Sequence, residues 1–295
     1  MDTTNLITKE GVLPLSATYL DKKFKTNTAL LDILLKKDYK KMTDSRYMVN
    51  VLVDADDAEN GVEGFDTKTV KKTTIKSRSL KNCTSIITKK ITISRTANTI
   101  DKSAKNSIKE KSLRKIGEKI EAELLGNQKM KDNGVDRQMG GLKSFVPEAH
   151  KVEKNISEIL KADKKVDEYW LSDILENANY EEFTHAFCGN KSKKYLDKIS
   201  NVCASNDVTS VNLTTNRITT NNGEIEPLKA RSLGELEILL VDINAIDFGQ
   251  LTPIQEEKLG KTMDGEESLL VWEGSVLPQI DNALFLITLV DDTAA

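Results

Sequence analysis

The stretch EKIEAELLGNQ (residues 118–128) indicates where a long charged helix ends, and this helix organises the rest of the chain. Upstream of the stretch, apolar residues recur every three to five positions, at Ala104, Ile108, Leu113, Ile116, Ile120 and Leu124. That spacing puts them on one face of a helix, which begins near Asp101 or Ser103 and ends near Gly126. About 25 helical residues span roughly 37 Å. The sequence therefore predicts a long helix with a narrow apolar stripe, which suits a bracing element better than a catalytic one.

The composition indicates a hydrophobic core with few aromatic residues. The chain has 295 residues, of which 38% are hydrophobic, 5% aromatic and 30% charged. This length suits one large domain or two ordinary ones. We expect no membrane span, because no run of about 18 apolar residues occurs, and no secretory signal at the N-terminus. Cys83, Cys188 and Cys203 lack metal-site spacing, and their odd number argues against a disulfide framework, so we expect reduced thiols in a cytoplasmic compartment.

Charge is distributed in blocks. Residues 54–66, here called the acidic segment, contain no basic residue and six acidic ones: Asp54, Asp56, Asp57, Glu59, Glu63 and Asp66. Residues 68–119 contain 16 lysines and arginines but only three acidic residues, whereas residues 221–295 contain 15 acidic and four basic residues. Such blocks are usually solvated faces or tails. The basic block also has strong helix and strand patterns, which favours an ordered structure.

A basic block suggests nucleic-acid binding. Residues 66–144 contain no aromatic residue, however, so they offer no platform on which bases stack. Two uses remain open for the block: non-specific attraction to phosphates, and contact with protein, for which the chain itself supplies acidic partners.

Local patterns divide the chain into an N-terminal part, a strand-rich part and an α/β part. We expect an arm over residues 1–26, a helix over 27–38, and two basic strands over 67–79 and 85–96 that form an extended hairpin beside the acidic segment. In the second strand, Ile87, Ile91 and Ile93 share one face. After Pro147 the patterns predict helices at 152–162, 165–178 and 190–200, and strands at 183–188, 208–215, 224–230, 235–243 and within 267–290.

No stretch forms a complete catalytic or ligand-binding motif. GKTMDG (260–265) resembles part of a phosphate-binding loop, but Gln255 stands where the first glycine is needed. The acidic segment fails as a calcium loop, because Ala58 and Phe65 occupy ligand positions. We therefore predict no catalytic residue, no metal site and no cofactor.

Single residues that carry chemistry are better explained by packing. His150 and His185 are too few and too scattered for a metal site, and His185 lies beside Phe187 in a predicted strand. Cys188 is interpreted as a buried structural thiol rather than an activated one. Trp170 and Trp272 are predicted to anchor the core.

Five stretches, in this order, resemble the major capsid proteins of tailed bacteriophages. NCTSIITKKITISRTA (82–97) resembles the strand that leads out of their extended loop, EKIEAELLGNQ (118–128) the end of their spine helix, and GGL (140–142) the loop after it. CGNKSKKYLDKIS (188–200) resembles a strand-to-helix step of the axial domain. LTPIQEEKLGKTMDGEESLLVWEGSVLPQIDNALFLITL (251–289) resembles the closing strands. The likeness covers roughly residues 82–290 and is strongest to the short branch of the family, which lacks a long N-terminal scaffolding segment.

The resemblance implies an α+β chain with the Johnson fold, found first in a Hong Kong coliphage. Its parts would be an N-terminal arm with a short helix (1–46), an extended β-hairpin loop (47–98), a peripheral domain with the spine helix (99–149 and 246–280), and an axial α/β domain (150–245 and 281–295). No position matches the crosslinking motif of some relatives, so no crosslink or catalytic residue is carried over.

The resemblance also implies a function. The chain would be a structural subunit that self-assembles, as hexamers and pentamers, into the icosahedral head shell of a tailed phage around its double-stranded DNA. Implied partners are a scaffolding protein, a portal, decoration proteins and packaged DNA contacted non-specifically, with no membrane. Assembly would take place in the cytoplasm of the bacterial host, and the product is the virion capsid. The alternatives are an encapsulin-like compartment shell and a basic, non-specific DNA-binding protein; an enzyme is the least favoured reading.

We expect the acidic segment to reach across a subunit boundary, because it is followed by a strongly basic block. The expected partners on the neighbouring copy lie along the long helix: Lys102, Lys105, Lys109 and Arg114. A single exposed ion pair contributes only about 0–1 kcal/mol, so such pairs would act together in setting register and assembly rate.

Overall fold

The computed structural model describes residues 28–37, 39–52, 77–94, 104–133, 136–160, 166–167, 169–176, 182–203, 217–220, 223–262 and 265–291. The predicted arm, the acidic segment, Lys102 and the predicted strand at 208–215 lie outside these residues.

Helices and strands alternate irregularly along the described chain. The helices are α1 (Ala29–Lys36), α2 (Ala104–Leu124), α3 (Leu142–Phe145), α4 (Ile156–Ile159), α5 (Trp170–Glu176) and α6 (Ser192–Cys203). The first strands are β1 (Lys40–Lys41), β2 (Arg46–Leu52), β3 (Ser77–Cys83), β4 (Ser85–Ser94), β5 (Lys131–Asp132), β6 (Arg137–Gln138) and β7 (Lys151–Asn155). The others are β8 (His185–Cys188), β9 (Ile218–Thr220), β10 (Gly223–Lys229), β11 (Glu237–Val241), β12 (Ile246–Thr262), β13 (Gly265–Pro278) and β14 (Leu284–Val290).

The long helix α2, hereafter the spine helix, lies on a four-stranded sheet with the order β1-β12-β13-β4. The predicted stripe is confirmed where side chains are described, because its C-terminal half is at most 1% exposed at Ile116, Ile120 and Leu124. These residues share a core cluster with Ile91 of β4 and Trp272 of β13. The helix ends at Leu124, just before Gly126.

The extended hairpin exists, but its strand pairing differs from the prediction. Strand β3 pairs antiparallel with β2, from Arg46 opposite Cys83 to Leu52 opposite Ser77. The predicted second arm, β4, pairs instead with β13 along its whole length. The isoleucines of β4 explain this choice, since Ile87, Ile91 and Ile93 are buried beneath the spine helix, where a projecting hairpin has no core. The pairing predicted between the two basic strands is therefore wrong.

The second large sheet has six strands in the order β7-β14-β11-β8-β10-β9. Its central strand β11 sends Leu239 and Val241 into the cluster beneath the spine helix, and Ile238 and Leu240 into a second cluster on the other face. Both faces of this sheet are therefore covered. The predicted anchors are confirmed, with Trp272 in the first cluster and Trp170 in the second.

The helix predicted over 152–162 is partly wrong. Residues Lys151–Asn155 form β7, which pairs in parallel with β14, and only Ile156–Ile159 are helical. Val152, Ile156 and Ile159 fit a helical period, but the free edge of β14 offers the first of them a strand partner. Tertiary pairing overrides local propensity here.

A close backbone contact fixes the loop after the spine helix. A Cβ atom at Gly141 would lie 2.3 Å from the carbonyl oxygen of Gly126 and 2.7 Å from that of Glu123. The Gly141 amide also donates a hydrogen bond to the Gln128 carbonyl at 3.0 Å. Only glycine allows this close approach, so the GGL stretch packs directly against the C-terminal end of the spine helix.

Candidate functional site

The basic spine helix meets the acidic end of the chain within one subunit. Lys109 Nζ lies 2.7 Å from Glu256 Oε2 of β12, and the two side chains are only 14% and 10% exposed. On the other face of the same sheet, Lys90 of β4 lies 2.8 Å from Glu267 of β13. Part of the predicted charge complementarity is therefore satisfied inside the tile formed by the spine helix and its sheet.

The candidate contact residues fall into three groups. The acidic segment and Lys102 lie outside the described residues, and of Lys105 the structure describes only its helical backbone. Lys109 pairs with Glu256, and Arg114 Nε lies 2.9 Å from Glu118 on the next turn of the helix. Contact between the acidic segment and these residues stays a prediction, and two of the four bases already have carboxylate partners in their own chain.

A buried asparagine joins three parts of the tile. Asn82, at the end of β3, donates from Nδ2 to the carbonyl oxygens of Gly140 at 3.0 Å and Val276 at 2.6 Å. Its Oδ1 accepts from the amides of Gly140 at 2.7 Å and Cys83 at 2.9 Å. One side chain thus binds the hairpin base, the glycine loop and β13. Sequence reasoning missed it, because a polar residue in a polar strand gives no signal of burial.

A second polar link connects the spine-helix region with the six-stranded sheet. Lys143 of α3 lies 2.8 Å from Glu237 Oε2 of β11, which also accepts from the Gly234 amide at 2.8 Å. Burial opposes ionisation, but the Lys143 ammonium and the Gly234 amide hold the pKa of Glu237 below its usual value. The link is therefore charged at neutral pH.

The histidines and described cysteines have structural environments, as predicted. His185 stacks on Phe187 at 6.2 Å, and burial lowers the pKa of its imidazole despite the nearby Glu226 and Asp242. Burial raises the pKa of the Cys188 thiol to about 12, so it is not a thiolate at neutral pH. Cys83 is buried, and burial raises its pKa as well.

The rejected phosphate loop, GKTMDG (260–265), spans the end of β12 and the start of β13. Gly260 to Thr262 end β12, and Thr262 stands opposite Gly265, the first residue of β13. A phosphate-binding loop leads into a helix, whereas the described residues of this stretch lie in two antiparallel strands, so the rejection is confirmed.

Nothing in the described chain assembles a reactive site. No group of three or more histidine, cysteine or acidic residues within it is arranged to hold a metal ion. A cavity of about 280 Å³ between β7, α4 and α5 is lined by Val152, Lys154, Glu158 and Trp170, among others, without a histidine, serine or cysteine. None of the helices in the described ranges combines the length and apolar character that crossing a bilayer requires.

The arrangement of hairpin, spine helix, four-stranded sheet and six-stranded sheet is the Johnson fold, and solved shell proteins share it. The capsid of a native GTA particle is 11% identical, with 87% of this chain and 90% of that chain covered and a TM-score of 0.63. The holo-SrpI encapsulin complex of Synechococcus elongatus PCC 7942 is 12% identical, with 90% and 88% covered and a TM-score of 0.59. Phage G gp27 major capsid proteins, solved with gp26 decoration proteins, are 10% identical, with 98% and 97% covered and a TM-score of 0.54. At such identities the likeness shows the fold alone.

The family follows from the sequence. The profile of the SU10 major capsid protein family matches residues 17–290, and the chain belongs to this family. No curated protein matches the sequence. The protein is therefore a phage major capsid protein, a structural subunit of the virion shell and not an enzyme. The family and fold implied by the five sequence stretches are confirmed.

Proposed function

We propose that copies of this chain assemble, as rings of five and six, into the closed icosahedral head shell of a tailed phage that encloses its double-stranded DNA. The match to the major capsid protein family over residues 17–290 carries the proposal. Heterologous contacts that close into rings suit a subunit of this kind. One face of the four-stranded sheet supports the proposal, since Leu269 and Val271 of β13 remain partly exposed there.

We divide the subunit into four regions. They are the arm with α1 (1–46), the extended loop (47–98), the peripheral domain (99–149 and 246–280) and the axial domain (150–245 and 281–295). Sheet membership supports this division with one change. Because β4 belongs to the four-stranded sheet, we end the extended loop at Cys83 and give Ser85–Ser94 to the peripheral domain.

We further propose that the acidic segment contacts the spine helix of a neighbouring copy. In the sequence it lies between β2 and β3, which run antiparallel. Lys102, Lys105, Lys109 and Arg114 are the proposed partners. Lys102 and Lys105 are the ones to change first, because their substitution leaves the Lys109–Glu256 and Arg114–Glu118 pairs intact.

Further partners follow from the proposed shell. We expect a scaffolding protein, a portal and decoration proteins, with assembly in the bacterial cytoplasm. The packaged DNA would contact exposed lysines of the spine helix, such as Lys111 and Lys115, without recognition of its sequence.

A second candidate function is a compartment shell with an enzyme cargo, favoured by the likeness to the SrpI encapsulin. Purified particles discriminate between the two. Nuclease-protected DNA of phage length supports the head shell, and a co-purifying protein cargo without such DNA supports the compartment.

Negative-stain imaging of the protein, produced with its natural assembly partners, tests the shell itself. We expect closed shells, or rings of five and six. A protein that stays monomeric at high concentration in all salts, with those partners present, contradicts the proposal.

A further inference from the structure

Helix α1 bridges the two large sheets of the subunit. It is eight residues long, and Leu30, Leu31 and Leu34 are fully buried in the cluster beneath the spine helix. Polar contacts at its two ends attach it to different parts of the tile.

The N-terminal end of α1 is held by a carboxylate of the spine helix. Glu121 is 1% exposed, and its two oxygens accept the amides of Leu30 at 3.0 Å and Leu31 at 2.8 Å. The side chain of Thr28, at the N-cap position, makes no capping hydrogen bond to the helix. Glu121 therefore supplies the cap that a local residue normally provides.

The C-terminal end of α1 is held by a lysine. The Nζ of Lys37 donates to the carbonyl oxygens of Ile243 at 3.0 Å, Asn244 at 2.9 Å and Ile246 at 2.9 Å. These residues form the turn by which β11 of the six-stranded sheet leads into β12 of the four-stranded sheet. Helix α1 thus runs from the spine helix to the junction of the sheets.

The charge state of Glu121 is set by opposing effects. Burial raises the pKa of Glu121 to about 7, the two amides of α1 oppose this, and the charge of Asp32 on α1 reinforces it. The other charged residues of α1, Lys36 and the adjoining Lys37, lie at its far end. Strand β4, which packs on the spine helix, contributes isoleucines and the exposed Lys89 on that side.

We propose that α1 is a pH-sensitive clip across the junction of the two sheets, closed when Glu121 is neutral and loosened when Glu121 ionises. Glu121 and Lys37 are its positioning residues. When α1 leaves the spine helix, Glu121 regains water and its ordinary acidity, so a proton favours the closed state.

The pH window follows from the two states of Glu121. The closed clip has a pKa of about 7 for Glu121, against 4.5 for an ordinary glutamate. The closed state is therefore most stable below 4.5, loses stability as the pH rises towards 7, and changes little above that. Within the window the opening equilibrium changes by at most about tenfold per pH unit.

Hydrogen exchange of the intact chain tests the clip without reference to shell assembly. The quantity to follow is the protection factor of a peptide spanning residues 28–37, from about pH 5 to about pH 8, because it divides out the intrinsic pH dependence of exchange. We expect protection to fall up to about pH 7 and then to level off.

Four variants identify the sensing group. Glu121→Gln has nearly the same shape but cannot ionise, so its protection is expected to stay flat with pH, whatever its level. Asp32→Asn removes a like charge and is expected to shrink the fall. Lys37→Met is expected to lower protection at every pH and keep the slope. Glu118→Gln, at a partly exposed position of the same helix, is the matched control and is expected to behave like the wild type.

Two results overturn the proposal: a flat wild-type profile below pH 7, or a slope that persists in Glu121→Gln. If Glu121→Gln does not fold, Asp32→Asn gives the second test, since removal of this like charge can only shrink the fall and a larger fall contradicts the role given to Glu121.

Discussion

The four-stranded and six-stranded sheets differ in how their faces are covered. Consecutive residues of β11, Ile238 to Val241, are all fully buried, which is the mark of a strand with both faces packed. Along β13, buried Leu270 and Trp272 alternate with the partly exposed Leu269 and Val271. Among the described residues, the middle of β11 is packed on both faces, whereas the Leu269–Trp272 stretch of β13 is packed on the face beneath the spine helix and partly exposed on the other.

The largest expected effect lies in the covered face of the four-stranded sheet. Ile116→Asp places a charge in the stripe of the spine helix, and an unpaired buried charge costs several kcal/mol. We expect loss of folding or of assembly, seen by urea unfolding and electron microscopy. Ala122→Asp, on an exposed position of the same helix, is the control and keeps both properties. Normal shells from Ile116→Asp mean that the stripe is wrongly placed.

The next largest losses in the free energy of unfolding are expected at one buried apolar residue and one buried polar residue. Leu240→Ala in the six-stranded sheet opens a cavity and is expected to cost about 2–5 kcal/mol. Asn82→Ala removes the side-chain partner of the Gly140 and Cys83 amides and of two carbonyl oxygens, and is expected to cost about 1–3 kcal/mol. Urea unfolding of both variants checks the ranking.

Hydrogen exchange of these two variants distinguishes a general loss of stability from a local loosening of the extended hairpin. Asn82 binds the base of the extended hairpin, so Asn82→Ala is expected to raise hydrogen exchange in residues 77–83, while Leu240→Ala leaves this segment unchanged relative to the whole. Equal local effects of the two variants contradict the role given to Asn82.

A smaller effect is expected at the ion pair between Lys109 of the spine helix and Glu256 of β12. Lys109→Met leaves Glu256 partly buried beside an apolar group and is expected to cost about 1–3 kcal/mol. Adding Glu256→Leu removes the carboxylate that has lost Lys109 and restores part of that loss. A double-mutant cycle measured by urea unfolding gives the coupling, and additive costs mean that the pair contributes nothing.

The smallest effect on the single subunit belongs to the acidic segment. Changing Asp54, Asp56 and Asp57 to lysine is expected to leave unfolding nearly unchanged and to slow assembly, because exposed pairs contribute about 0–1 kcal/mol each. Higher salt is expected to weaken the wild-type contact as well.

Rescue makes this test specific. Lys102→Glu with Lys105→Glu is expected to restore part of the assembly of the triple variant. Lys109→Glu is a poor rescue, because it places a second carboxylate beside Glu256. Unchanged assembly of the triple variant favours an acidic segment exposed to water and a basic block facing the DNA.

Sequence patterns predicted local structure well and long-range pairing poorly. The sequence predicted the apolar stripe of the spine helix and the isoleucines on one face of β4. Both depend on the spacing of neighbouring residues, which the sequence shows directly. The partner of β4 was not, since β13 lies about 180 residues further along the chain. Val152 and its neighbours fit a helical period, yet β14 recruits them as an edge strand.

By itself, the sequence determined the periodic elements, the absence of a complete catalytic motif, the charge blocks and the family resemblance. Only the tertiary structure decided that basic β4 pairs with acidic β13 in the same chain, and that Asn82 and Glu121 are buried. The physical reason is that burial and partnership depend on segments brought together by folding. Glu121 meets the Leu30 amide across 91 positions, and its local surroundings are those of any charged helix residue.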